Sequence, residues 1–249
     1  MYTRAVDIKR LKFITSNIAH LKPAESRILD IGCGNGNISI ALGTLGYNVL
    51  GIDISEKTIA KARSNNTLSN VKFEVISAEE LQATGPQYDA IICSEVLEHL
   101  QTPEDLVRVI EQLLKEDGRL IVTVPNGYGP REALMTKPMQ WMQRSDGVLW
   151  KFTKGVKRML GYSGKTVQSE ADDLTHIQFF TKRSLTNLLS KYRFKMAAFE
   201  NADFMEDVFP FSIVTKRVNA LQRLDCAVAD ILPHYFTGGF HTLWQKSPK

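Results

Sequence analysis

The chain has only three cysteines, Cys33, Cys93 and Cys226, scattered through 249 residues. Such sparse thiols exclude a disulfide framework or a tetrathiolate metal site, and fit a reducing, cytoplasmic setting. Long apolar runs are missing too. No stretch reaches the about 18 uninterrupted apolar residues that cross a bilayer, and Met1–Arg10 is too polar and charged for the apolar region of a secretory signal. There is no internal repeat and no low-complexity tract. Nor does one charge dominate. Thirty-one Lys and Arg stand against 27 Asp and Glu, a net +4, which is far from the strongly basic balance of a dedicated nucleic-acid-binding chain.

What is present is a core's worth of apolar residues, 43% of the chain, in short runs that alternate with amphipathic segments. Val6, Leu11, Ile14, Ile18 and Leu21 mark an opening helix over 5–21, ended by Pro23. Strands are expected at 28–31, 48–53, 71–76, 88–93 and 119–124, the last after a turn at Asp117-Gly118. Helices are expected between them, including one capped by Ser55, one opening at Glu95 and one running from Thr102 to Leu114. Beyond these come a helix over 181–192, a strand over 194–199, one long amphipathic helix over 212–232 with Val214, Val218, Leu221, Leu224, Val228 and Ile231 as its apolar face, and a last strand over 240–245. Strands alternating with helices predict an α/β fold, with a mostly parallel, doubly wound, Rossmann-like sheet.

The most informative stretch is Asp30-Ile31-Gly32-Cys33-Gly34-Asn35-Gly36-Asn37, which joins the first strand to the first internal helix. Glycines at alternate positions let backbone lie against a ligand. About twenty residues on, Asp53 closes the second strand, where a doubly wound sheet grips a ribose. A dinucleotide fold would want G-x-G-x-x-G and no acid beside the pyrophosphate. Here the third glycine comes early, and Asp30 suits a cationic ligand.

Asp-Ile-Gly-Cys-Gly-Asn-Gly closely resembles the first motif of the class I S-adenosylmethionine-dependent methyltransferases. The likeness spans roughly residues 25–127, and the strand–helix–strand tail resembles that family's last two, antiparallel strands. It implies a seven-stranded sheet and S-adenosylmethionine as cofactor. By the resemblance, Asp30 with Gly32, Cys33, Gly34 and Asn37 would hold the methionine end, and Asp53 the ribose. Ile54 would meet the adenine face, Ser77, Ala78 and Glu79 would lie by its edge, and Cys93 and Ser94 would line the floor. Many relatives carry an acid where Ser77 stands.

Ser94-Glu95-Val96-Leu97-Glu98-His99-Leu100 adds reactive groups. On a helix Glu95, Glu98 and His99 would share one face, and with His176 they form a candidate site for Mg²⁺, Mn²⁺ or Zn²⁺. Glu-x-x-Glu-His followed by His-x-x-Phe-x-Thr resembles the ubiquinone-pathway O-methyltransferases, a methyltransferase-23-like branch, and the small-RNA 2′-O-methyltransferases. The alternative is a metal-free site in which His99 or His176 acts as base beside Glu98. His20, His234 and His241 suggest no role.

The expected organisation is a single domain over 1–249: an N-terminal helix (1–24), a cofactor core (25–127), a helical cap insertion (128–175) and a C-terminal part (176–249). Within 131–165, eight Lys and Arg face only Glu132 and Asp146, a local +6 that leaves −2 elsewhere, among Met135, Met139, Trp141, Met142, Trp150, Phe152 and Met159. This composition suits either a solvated basic helix pair or a cap over an anionic or lipid-linked acceptor, at the inner membrane face. The function expected is O-methylation of a small acceptor, such as a sugar, a glycan intermediate or a phenol. RNA 2′-O-methylation and a non-catalytic cofactor-binding scaffold are the alternatives. The sequence shows no RNA-binding module, and nucleic acid is not the expected partner.

Overall fold

Short apolar runs make the strands: β1 (Arg27–Ile31), β2 (Asn48–Asp53), β3 (Val71–Val75), β4 (Tyr88–Ser94), β5 (Leu114–Pro125), β6 (Phe194–Asn201) and β7 (Gly239–Lys246). In the computed structural model, which describes residues 3–83, 85, 87–130, 133–134, 177–206, 208, 210–215 and 217–248, they form one sheet in the order β3-β2-β1-β4-β5-β7-β6. The first five are parallel, and β7 runs antiparallel to both β5 and β6. The helices are α1 (Ala5–Ile18), α2 (Asn37–Thr44), α3 (Glu56–Asn65), α4 (Ala78–Gln82), α5 (Pro103–Leu113), α6 (Lys182–Ser190), α7 (Phe211–Thr215) and α8 (Asn219–Ile231).

Successive strand residues serve opposite faces. Ile28 packs with Phe13, Ile14 and Ile18 of α1, Leu42 of α2 and Ile59 of α3. Leu29 packs on the other side with Ile110 of α5 and Leu189 of α6. Burying each such side chain contributes about 1.5–3 kcal/mol, so β1, covered on both faces, is held firmly at the centre. The doubly wound α/β expectation is met.

Three boundaries differ from expectation. α1 stops at Ile18 rather than Leu21, because Pro23 holds Lys22 extended (φ −80°, ψ 115°). β5 starts early. Tyr88 pairs with Leu114 and Ala90 with Arg119, so residues 115–118, with Asp117-Gly118, form a bulge rather than a turn before the strand.

The long helix expected over 212–232 is two helices, α7 and α8, with Val218 extended between them (φ −127°, ψ 100°). Its orientation is also reversed. α8 buries Gln222, Cys226 and Ala229 and leaves Leu221, Leu224 and Ile231 exposed. Gln222 is the reason: its amide donates to the Thr215 carbonyl across the break and accepts from the Ala5 N–H at the start of α1. A polar residue with both partners supplied can be the buried one. The Cys226 thiol, buried in this seam, is pushed up to about 12 by desolvation, so it stays an uncharged packing group.

Candidate active site

β1 leaves the sheet between β2 and β4, where the strand order reverses and a crevice must open at the carboxyl ends. The glycine turn lies there. Gly32, Gly34 and Gly36 all have left-handed backbone (φ 65°, 55° and 80°). A Cβ on Gly32 would come within 2.5 Å of Val96 Cγ2, and one on Gly36 within 2.5 Å of Phe73 Cζ. Glycine is thus required twice over, by conformation and by space. The turn is tied to β2: Cys33 N–H donates to the Ile52 carbonyl (3.0 Å), and Gly34 N–H donates to Asp53 Oδ2 (3.1 Å). Asp53 Oδ1 accepts the Ser55 N–H (2.9 Å), and Ser55 in turn caps α3. The carboxylate is fixed at the end of β2, half-buried, with lone pairs left for two ligand hydroxyls.

Asp30 lies under the turn, almost fully buried, with Ser39 Oγ donating to its Oδ2 at 2.5 Å. Burial pushes its carboxyl up to about 7. The Ser39 hydrogen bond opposes that rise and the neighbouring Asp53 charge adds to it. A group raised in the folded state gives its full stability at low pH and loses it as pH rises through the folded value. From the ordinary 3.8 to about 7, the cost at alkaline pH is on the order of 4 kcal/mol. Asp30→Asn is therefore expected to raise the melting temperature clearly at pH 8 and little at pH 4. It should also weaken binding of any cationic ligand over the turn. Equal gains at both pH values, measured by scanning calorimetry, would refute the assignment.

The adenine-side residues are spread along the same edge. Ile54 is 81% exposed just past Asp53, a bare apolar shelf where the resemblance puts a base. Ser77 opens α4, and its hydroxyl and N–H are taken up in a reciprocal cap with Glu80, not Glu79. Ala78 is buried and Glu79 exposed. Cys93 is fully buried and its thiol is raised by desolvation, as is that of half-buried Cys33. Both thiols are kept protonated and are inert packing groups rather than nucleophiles. Asn37 is the first residue of α2, half-buried.

The segment after β4 departs from expectation. Glu95 is not helical: its φ is +57°, and the helix that follows is one 3-10 turn, Leu97–His99. The shared helical face is therefore corrected. Glu95 turns back to the sheet, where Thr123 Oγ1 donates to its Oε1 (2.9 Å), Ser94 Oγ meets Thr123 Oγ1 (2.9 Å), and Arg10 of α1 lies 3.6 Å from the same carboxylate oxygen. Glu98 is buried. Its side chain faces His99 Nε2 at 3.7 Å, and its carbonyl accepts the N–H groups of Ile177 and Gln178. Among the described residues no group of three or more His, Cys, Asp or Glu is placed to hold a metal ion. His176, the fourth expected ligand, and most of the 128–175 insertion lie outside the described residues.

A profile described as a methyltransferase domain matches residues 6–198. The chain belongs to this class I S-adenosylmethionine-dependent methyltransferase family. The methyltransferase is 35% identical over 143 residues to the ubiquinone biosynthesis O-methyltransferase of Xanthomonas axonopodis pv. citri, covering 56% of this chain and 59% of that protein. It is 38% identical over 106 residues to the like-named protein of Dechloromonas aromatica, covering 41% and 46%. It thus spans about half the length of these relatives. Its fold matches magnesium protoporphyrin IX methyltransferase from Synechocystis PCC 6803 with bound S-adenosylhomocysteine, at a TM-score of 0.56 and 17% identity, over 97% of this chain and 81% of that one.

Reading the sequence missed several residues that build the methyltransferase's crevice. Arg10 sits on the apolar side of α1 between Val6 and Phe13, all three buried. Two charges on the apolar stripe, Asp7 and Arg10, were the available signal. Ser39, Thr123 and Asn126 carry no local signature, because their partners lie on other elements.

Proposed function

We propose that this methyltransferase passes the methyl group of S-adenosylmethionine to a hydroxyl of a small acceptor, a phenol or a sugar, either of which can be anionic or lipid-linked. The observation that carries it is the pairing of the Asp53-braced glycine turn with His99 and Glu98 on the next strand end. The crevice fits the cofactor: an acid below a left-handed glycine turn for the cationic end, a fixed carboxylate for ribose and an open apolar shelf for the base. When bound, the cofactor supplies an activated methyl on a positively charged sulfur, so positioning contributes much of the rate. Asp53 and the Gly32–Gly34 backbone orient it. His99 takes the proton of the attacking hydroxyl, and the Glu98 carboxylate facing the ring stabilises the imidazolium so formed.

Relatives named for O-methylation support a hydroxyl acceptor. The described donors do not fit a divalent cation, since Glu95 is held by Thr123 and Arg10. No helix among the described residues is long and apolar enough to cross a membrane. The basic, aromatic composition of 131–165 supports an anionic or membrane-adjacent acceptor. The test is transfer of radiolabelled methyl to catechol, a monophenol and a monosaccharide, with and without EDTA. Label on a hydroxyl acceptor that persists in EDTA is expected. Cofactor binding with no transfer to any of them would favour a scaffold, and loss of transfer in EDTA would restore the metal.

A further inference from the structure

Just beyond β5 a single buried side chain gathers two loops. Asn126 is 2% exposed. Its side-chain amide donates to the carbonyls of His234 (2.9 Å), Tyr235 (3.4 Å) and Thr237 (2.8 Å), and its Oδ1 accepts the Tyr128 N–H (3.1 Å). The two loops are in close contact elsewhere too: a Cβ on Gly129 would come within 2.5 Å of the Thr237 carbonyl oxygen. A buried amide satisfied on this many sides fixes both backbones together.

What the fixed loops display is aromatic and more than half exposed. Tyr128 is 66% exposed, Tyr235 62% and Phe236 58%. Tyr235 is also supported from beneath by a file of rings. Buried Phe240 touches Phe199 (5.4 Å), Phe199 meets His234 edge-on (6.0 Å), and His234 lies against Tyr235 (4.0 Å). Burial, and the charge of Lys182, hold His234 below its ordinary value, which favours the uncharged ring under Tyr235. Three large rings held more than half exposed on a rigid mount mark a contact surface. Asn126 stands three residues past Thr123, which holds Ser94 and Glu95 at the crevice, a distance along the strand of about 10 Å.

We propose that Tyr128, Tyr235 and Phe236, mounted on Asn126, form the acceptor-recognition rim, and that they take a flat, apolar ring system extending from the methylated hydroxyl. This deepens the methyl-transfer reading and rests on it. Rings stacked or tilted against such side chains contribute about tenfold in affinity. Sugars, with no flat apolar face of that breadth, would gain less.

The experiment is calorimetric binding of catechol, and of the naphthalene diol with adjacent hydroxyls, to protein saturated with S-adenosylhomocysteine. The wild type is expected to bind the two-ring diol about tenfold more tightly. Tyr235→Ala and Phe236→Ala should each lose most of that preference, Tyr235→Phe should keep it, and affinity for S-adenosylhomocysteine should stay the same in all. The proposal is overturned if the wild type shows no preference or binds neither diol. It is also overturned if both alanine variants retain the full gain. Because binding is read without turnover, a ring preference with no methyl transfer would sink only the O-methylation reading. Methyl transfer without a ring preference would sink only the rim.

Discussion

Asp53→Ala is expected to weaken S-adenosylmethionine binding by about a hundredfold or more, the loss of two charge-assisted hydrogen bonds. The size follows from what holds the carboxylate. Gly34 N–H and Ser55 N–H fix its two oxygens, so the wild type presents it to a ribose with little left to order on binding. Removal frees the glycine turn from β2 at the same time. Asp53→Asn separates the two effects, since it keeps the shape and one acceptor oxygen but loses the charge. Calorimetry should rank wild type above Asn above Ala. Equal affinity for all three would remove Asp53 from the site.

The second large effect belongs to His99. His99→Ala should lower turnover by about 10²–10⁴-fold, the usual span for loss of a positioned base, while cofactor affinity stays within about twofold. The reasoning is geometric. His99 closes the 3-10 turn after β4. Its imidazole is faced by Glu98, and the Glu98 carbonyl is pinned by Ile177 and Gln178, so the ring is aimed without contributing to the glycine turn. Parallel loss of turnover and of cofactor affinity would make it a binding residue instead.

The parts of this molecule that were legible from sequence are those whose physics is local. A run of alternate glycines states its own backbone requirement, and left-handed φ at Gly32, Gly34 and Gly36 confirms it. Ser55, an N-cap three residues before Thr58, caps α3 as its spacing predicts. Where partners are distant, reading fails. Glu95 takes a left-handed φ that its residue type disfavours, held by Thr123 and Arg10 from other elements. Periodicity predicted one helix over 212–232 with its valines and leucines inward. Gln222, satisfied by Ala5 and Thr215, reverses that choice. Asn126 carries no local signal of its role, which is visible only once residues more than a hundred positions away come beside it.

The most direct test of the central claim is titration of S-adenosylmethionine, and separately of nicotinamide adenine dinucleotide, into the protein by calorimetry. One equivalent of S-adenosylmethionine should bind, and the dinucleotide should give no heat, because Asp30 and the early third glycine disfavour a pyrophosphate. Binding of the dinucleotide with no binding of S-adenosylmethionine would contradict the account.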